Sequence, residues 1–554
     1  GTLQLIYQKM QQLGAAGMFS WDSSFFQRLT WAWQGLILTC QGVPLPIGPG
    51  DWYWNPSRVI PPGGDNSITE FPLFTFLYSD LHAHMIVMPI ALLAISWALS
   101  VVAARARWRN QASAGLGIAI GGLIVGAAYP TNLSDSYTYL LICIIALGYS
   151  ILRYSEVENI YKRIGLAVGA VAAFYLLSRF MYEPYRIWYS QAYSALEPWR
   201  GPFTPFASYL TMWGVFLFIA AAWMAWETRE WMRLTPLSAL QKLKPYQLLI
   251  EGALVALAIM ILALQFHGTS VGWIAIPLAA WAGILLLNPH LSDEKRFVLF
   301  LIGTALFITI IVEVVVVRGD IGRQNTIFKF YLQAWFMLAA SAGAALAWTL
   351  PAFFQWLPGW RVFWQSAMIF LISGAMLFTV TGTSGKIRDR WIIEAPRTLD
   401  AMTFMNYAHY DLFGQRLDLS EDYRAIRWVQ DNIQGSPVTV EATACIEYQW
   451  CARFAMYTGL PTVVGWNWHQ RQQRVFTSIQ VQDRVNEVGE FYNSLTAEYA
   501  GNFLKKHGVR YIIVGQLERA AYTPEGIAKF EQFDGTLWRS VYRDGSTAIY
   551  EVLP

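Results

Sequence analysis

Glu70, Asp80, His82 and His84 crowd into one short segment, ITEFPLFTFLYSDLHAHMIVMPI. On a helix Asp80 and His84 stand at i and i+4 and share a face, whereas His82 is turned roughly 200° from Asp80. An Asp/His pair at that spacing can hold a divalent metal such as Mg or Mn, act as a base with its orienter, or bind phosphate once the His is protonated. Asp80, His84 and Glu70 are therefore the candidate catalytic residues, with Asp80 and His84 as candidate metal ligands and His82 as a substrate contact. The plainer alternative is a hydrogen-bonded cap on the following helix. Two His and an acid at one membrane boundary exceed what a cap needs.

Three further polar groupings join them. YPTNLSDSYTY offers Asn132 and Asp135, and EVVVVRGDIGRQNTIFKFYLQAW offers Arg323, Asn325 and Lys329 beside Arg318 and Asp320, after Glu313 within an apolar run. Arg and Lys at a helix mouth suit an anionic lipid phosphate, and anchoring of helix ends in headgroups is the alternative. GLPTVVGWNWHQRQQR places His469, Arg471 and Arg474 after a strand and a Trp-rich turn. Such a cluster fits a sugar or phosphate, and a solvated helix start has the same composition.

These residues are positioned by membrane helices. From about Met85 to Ala104 an apolar run of roughly 20 residues is long enough to cross a bilayer, so the Glu70–His84 group sits at its mouth. Further spans are expected at 113–129, 137–152, 165–181, 207–226, 246–265, 270–288, 297–317, 329–350 and 362–381, about ten in all. Threaded alternately, they put Arg105, Arg107, Arg109, Arg153, Lys162, Arg163, Arg229, Arg233, Lys242, Lys244, Lys295, Arg296 and Arg361 on one side. The positive-inside rule makes that side the cytoplasm and leaves His84 and the C-terminal region outside a plasma membrane. Residues 1–83 contain no span; Leu3–Leu13 and Phe25–Leu38 alternate aromatic, aliphatic and Gln positions as interfacial helices do. With no initiator Met or signal peptide, the expectation is a missing upstream membrane part.

Residues 84–381 thus form the helical domain, 382–419 a connector and 420–554 a water-soluble α/β domain. In that last part SEDYRAIRWVQDNI reads as a helix capped by Ser420, and PVTVEAT, PTVVGW, VRYIIVG, WRSVYRD and STAIYEV read as strands. The fold expected is a membrane α-helical bundle with a C-terminal extracytoplasmic α/β domain. Composition agrees: 554 residues are 55% hydrophobic, 16% aromatic and only 14% charged. A net charge of +3, spread through short loops, excludes a nucleic-acid footprint. Four Cys make no disulfide scaffold; Cys445 and Cys451 are close enough to pair and are equally acceptable as free thiols. P-loop, HExxH and dinucleotide motifs are absent.

The segments SRVI, ITEFPLFTFLYSDLHAHMIVMPI, RQNTIFKFYLQAW, GLPTVVGWNWHQRQQR and KKHGVRYIIVGQLERAAY resemble the YYY domain family, uncharacterised multi-pass proteins of archaea and green non-sulfur bacteria. The resemblance covers nearly the whole chain. That family is similar in layout to the GT-C glycosyltransferases, which take sugar from a polyprenyl-phosphate carrier outside the membrane. The chain lacks the family's triple tyrosine and the acidic motif near it, so a catalytic acid of the first external loop would have to come from elsewhere, for example from a second chain supplying N-terminal helices. NLSD, at Asn132 to Asp135, stands where the family has Asn-Thr-Trp-Asp, keeping the polar pair and losing the Trp.

Two classes of function follow. In one, a GT-C-like glycosyltransferase uses outward carboxylates to activate an acceptor hydroxyl, while Arg323 and Lys329 hold the lipid phosphate. In the other, a non-enzymatic scaffold or transporter subunit docks a partner. A carrier should place ionisable groups near the bilayer midplane. Here most cluster at helix mouths, which favours the transferase or a scaffold.

Overall fold

The computed structural model describes residues 1–61, 67–79, 81–108, 110–189, 195–447, 449–473 and 477–554, with only the backbone of Trp188, Leu237 and Leu240. The chain divides into two units, one within residues 1–390 and one holding Trp391–Pro554.

The first unit opens with short helices α1 (Thr2–Gly14), α2 (Phe25–Cys40), α3 (Asp51–Trp54) and α4 (Pro72–Tyr78). The long ones follow: α5 (Ala83–Ala103), α6 (Gln111–Thr131), α7 (Leu133–Tyr154) and α8 (Ile160–Phe180), then the short α9 (Glu183–Trp188). After strand β1 (Leu196–Pro198) come α10 (Phe206–Leu234), α11 (Gln247–His267), α12 (Gly272–Leu286) and α13 (Asp293–Val314). Strand β2 (Val315–Val317) pairs antiparallel with β1, and α14 (Gln324–Ala352) and α15 (Pro358–Arg390) complete the unit.

Among the described residues, nine helices are long and apolar enough to cross a membrane. The expected span at 270–288 is α12, whose 15 residues reach only about 22 Å, less than the roughly 30 Å of a hydrocarbon core. Its ends nevertheless meet opposite ends of α13. Before α12, the Thr269 hydroxyl donates to Glu313 at 3.1 Å, near the C-terminus of α13; after it, the carbonyls of Leu286 and Asn288 accept from Arg296, near the N-terminus of α13. Helix α12 therefore runs alongside α13 in the opposite direction, its two ends meeting opposite ends of that helix.

Side-chain bonds tie the helix ends into two levels. At one, Tyr149 and Tyr154 of α7 donate to Asp293, which also lies 3.5 Å from Arg153, and Lys295 pairs with Glu227 of α10. This end carries the basic loops. At the other end stand β1–β2 and the N-termini of α5, α7, α10 and α14. Between the levels the core is built on α13 and α14, where Ala305, Leu306, Ile327, Ala334, Met337 and Ala345 are fully buried. Trp213 and Trp223 of α10 pack there too. Helix α15 runs to Arg390, past the expected end at 381, so the following connector starts at 391 rather than 382.

The second unit is α/β. A hairpin of β3 (His409–Leu412) and β4 (Gln415–Asp418) precedes α16 (Leu419–Asn432), and β5 (Val438–Val440) enters a four-stranded sheet. Then come α17 (Arg453–Thr458), α18 (Asn467–Gln473), α19 (Ser478–Asn493), α20 (Ala497–His507), β6 (Val509–Val514), α21 (Gln516–Ala521), α22 (Pro524–Gln532), β7 (Trp538–Asp544) and β8 (Thr547–Val552). The sheet order is β5-β6-β8-β7, with only the β5–β6 pair parallel. Two local expectations change. The cap of α16 is Asp418, whose carboxylate accepts from Ser420 N at 3.0 Å, in place of Ser420. PTVVGW makes only a single bridge, Thr439 with Thr462, because the chain enters α18 directly after it. Cys445 and Cys451 form a disulfide.

Candidate functional site

The chain breaks between α4 and α5. Ser79 adopts a left-handed φ of 63° and His82 is extended at the N-cap of α5, so α4 does not run on into α5 as one helix. Asp80 itself lies outside the described residues. The break lets His82 and His84 approach, with ring centroids 5.5 Å apart, where a helix would have turned them apart. His84 Nε2 lies 3.6 Å from Glu70 Oε2, and Arg58 Nη2 lies 3.4 Å from Glu70 Oε1. Thr75 donates to the same carboxylate at 3.4 Å. Arg58 stacks 4.2 Å over Trp54, and Phe328 of α14 meets His84 edge-on at 4.3 Å. Burial pushes the Glu70 carboxyl above its usual range, outweighing the opposing pull of Arg58, Thr75 and His82. A desolvated carboxyl of raised proton affinity beside an imidazole is the arrangement general acid–base chemistry uses.

One residue along α14 from Phe328, Lys329 has Asp135 and Asp320 as its charged neighbours. Asn132 donates to the Asp135 carboxylate, and Gln333 ties α14 to α7 by bonds with Ser134 O and Thr138. Helix α14 thus joins the Glu70–His84 and Asp135–Lys329 groups at one end of the bundle. Asn325 has a different task. Asp320 accepts from Asn325 N and Nδ2 and from Thr326 N and Oγ1, all within 3.0 Å, and so caps the first turn of α14. Arg323, expected at a helix mouth, stands at the N-cap of α14 and is 0% exposed. Its guanidinium meets Glu313 at 2.8 Å and the Val312 carbonyl at 3.1 Å. Glu313 also accepts from Thr204 N at 3.0 Å and from Thr269.

The third predicted grouping belongs to the second unit. Arg471 donates to Gln482 at 2.8 Å and lies 5.0 Å over the exposed Trp468 ring. His469 sits 5.6 Å from Trp466, whose indole N–H donates to Cys451 O at 3.1 Å. Arg474 lies outside the described residues. Sequence reasoning missed a second cluster there: Arg453, fully buried, meets Asp422 at 2.9 Å, Glu518 at 2.9 Å and Glu441 at 3.7 Å. Burial pushes Glu441 up to about 7 despite the Arg453 charge, while Arg453 and its hydrogen bonds hold Glu518 below the usual range. No spacing rule links these four positions. Among the described residues no three His, Cys, Asp or Glu side chains group so as to hold a metal ion.

A family model described as "Uncharacterized membrane protein (DUF2298)" matches residues 1–338. The chain belongs to this family. The match takes in every residue of the first unit's site, from Arg58 to Lys329, so those groups sit in the family's shared region and the α/β unit lies beyond it. No curated protein matches the chain. Among solved structures, the crystal structure of the Archaeoglobus fulgidus oligosaccharyltransferase aligns at 13% identity with a TM-score of 0.28, covering 100% of this chain. The chain spans 60% of the length of that protein.

Proposed function

We propose that this DUF2298 member is an integral-membrane glycosyltransferase of GT-C layout that takes sugar from a polyprenyl-phosphate donor on the extracytoplasmic side. The observation carrying this reading is that two polar groups, Glu70 with His84 and Arg58, and Asp135 with Lys329, stand at the end of the bundle opposite the basic loops, linked through the successive residues Phe328 and Lys329 of α14. In the reaction, an acceptor hydroxyl oxygen attacks the anomeric carbon and the bond to the lipid phosphate breaks. Glu70, in its ionised form and oriented by His84 and Arg58, takes the hydroxyl proton, and Lys329 offsets the charge developing on the departing phosphate. The family resemblance supplies the substrate class. The positive-inside rule supplies the side, because the ends of α7 and α13 that carry Arg153, Lys295 and Arg296 face away from this group. Trp468, His469 and Arg471 in the second unit suit a sugar contact.

The test is release of labelled sugar from a polyprenyl-phosphate sugar by the full chain in lipid nanodiscs. Glu70→Gln keeps the shape of the side chain and removes its proton-accepting charge. It should cut turnover about 100-fold or more while donor binding persists. Lys329→Met should weaken binding of the polyprenyl phosphate. Full turnover in Glu70→Gln, or absence of both donor binding and turnover in the parent chain, overturns the transferase and returns the bundle to a scaffold role.

A further inference from the structure

Helix α2 is built inside out. Around its axis Phe25, Phe26, Leu29, Trp33, Leu36, Ile37 and Cys40 fall on one face, and that face is the exposed one: Phe26 is 78% and Trp33 63% exposed. The opposite face carries the small Ala32 and Gly35 together with Trp31, all buried. Helix α1 packs there so closely that a Cβ on Gly35 would lie 2.0 Å from the Met10 carbonyl oxygen, and one on Gly14 2.0 Å from that of Trp31. The only charged residue of α2, Arg28, falls outside this face by helical spacing, and its backbone carbonyl accepts from Gln11 of α1 at 3.2 Å. A charge-free face of large side chains along about 24 Å of helix is too much apolar surface to leave in water.

We infer that this face lies in the plane of the membrane and contacts the hydrocarbon chains of one leaflet. Three observations favour lipid over a protein partner. The hairpin belongs to the unit that contains the spans, and α1 docks on one of them, with Leu3 against Gly374 in the middle of α15. At 16 residues α2 is too short to cross, so its apolar face can be satisfied by lipid only from the interface. Its composition, with Trp33 and two Phe and Trp21 just before it, is that of an interfacial aromatic belt. The inference does not depend on the transferase reading.

The chain carries its own reporter. Cys40 is exposed on the face in question, Cys143 is buried, and Cys445 and Cys451 are bridged. An NBD fluorophore on Cys40 in full-length protein, reconstituted into phosphatidylcholine vesicles, should be quenched about twofold or more by nitroxides at a shallow acyl position, since interfacial helices sink roughly 5–10 Å. Aqueous iodide should have little effect. The same readout from Phe26→Cys and from Gln34→Cys, on the polar flank, gives the orientation: lipid quenching should be strong at 26 and weaker at 34. Iodide quenching at Cys40 and position 26 without lipid quenching would mean a water-exposed face. Protection from both quenchers would mean a protein partner or a second copy. Either outcome overturns the inference.

Discussion

Removing Arg323 should destabilise the protein rather than disable a surface binding site. Both partners of the Arg323–Glu313 pair are fully buried, with N and O 2.8 Å apart. Deleting one member of such a pair leaves the other charge uncompensated, at about 3–5 kcal/mol. Arg323→Leu should fall near the lower end, because Glu313 keeps donors from Thr204 N at 3.0 Å and Thr269 at 3.1 Å. A loss of about 3 kcal/mol corresponds to roughly a hundredfold change in the folded-to-unfolded ratio. The double variant Arg323→Leu with Glu313→Gln removes the stranded charge but keeps an acceptor for Thr204, and should regain most of the loss. Because multi-span proteins unfold irreversibly, the assay is the lifetime of the monodisperse species in detergent at several temperatures. If Arg323→Leu matches the parent in lifetime yet no longer binds a lipid phosphate, the pair is not a clasp and Arg323 faces ligand.

Other outcomes follow from the same geometry. Glu441 is held at about 7, above its ordinary 4.5, so its protonated form is favoured in the native state; its contribution is full below about 4.5 and is lost as pH rises through about 7, and Glu441→Gln should flatten thermal stability against pH in that window. Glu518, held low, contributes in the opposite sense, losing stability as pH falls below its usual range. Gly35→Ala should cost about 1–3 kcal/mol by prying α2 from Met10, whereas Gly169→Ala, with no atom within 4 Å of its Cβ, should be neutral or slightly stabilising in the same melting assay. Arg107→Cys should react with an impermeant maleimide only from the cytoplasmic side and Leu399→Cys only from outside, and the reverse pattern would sink the threading.

Hydropathy located most span ends within about five residues because hydrocarbon thickness fixes how long an apolar run must be, but it stopped at 226 and 381 where α10 and α15 run on to Leu234 and Arg390. It overestimated α12, whose apolar run extends into turns at 269–271 and 287–291. It could not see the break before α5, since nothing in the DLHAH run demands the left-handed Ser79 that separates α4 from α5. The burial of Arg323 was not legible for a topological reason. Its partner Glu313 lies across a reversal built by β2, and β2 is held by β1 more than a hundred residues earlier, a pairing with no local signature. The Arg453 cluster is hidden likewise: its carboxylates come from α16, from the residue just after β5 and from α21, far apart in the chain. In the α/β unit, alternation found β6, β7 and β8 but not their order.

The polar end of the bundle separates into charges that are consumed by the fold and charges that are not. Asp320 spends both oxygens on four short bonds to the first turn of α14, and Glu313 spends both on Thr204, Thr269 and Arg323. Such saturated carboxylates have no lone pair to offer a substrate. Glu70 differs: its contacts with Arg58, Thr75 and His84 lie at 3.4, 3.4 and 3.6 Å, longer than good charge-assisted bonds, in a site buried enough to raise its proton affinity. A carboxyl that is desolvated yet under-coordinated gains more from an incoming hydroxyl than one already saturated does. On the transferase reading proposed above, Glu70 and His84 are thus the groups left to meet a substrate, while the bonds of Arg323 and Asn325 hold the start of α14, which carries Phe328 against His84 and Lys329 one residue on.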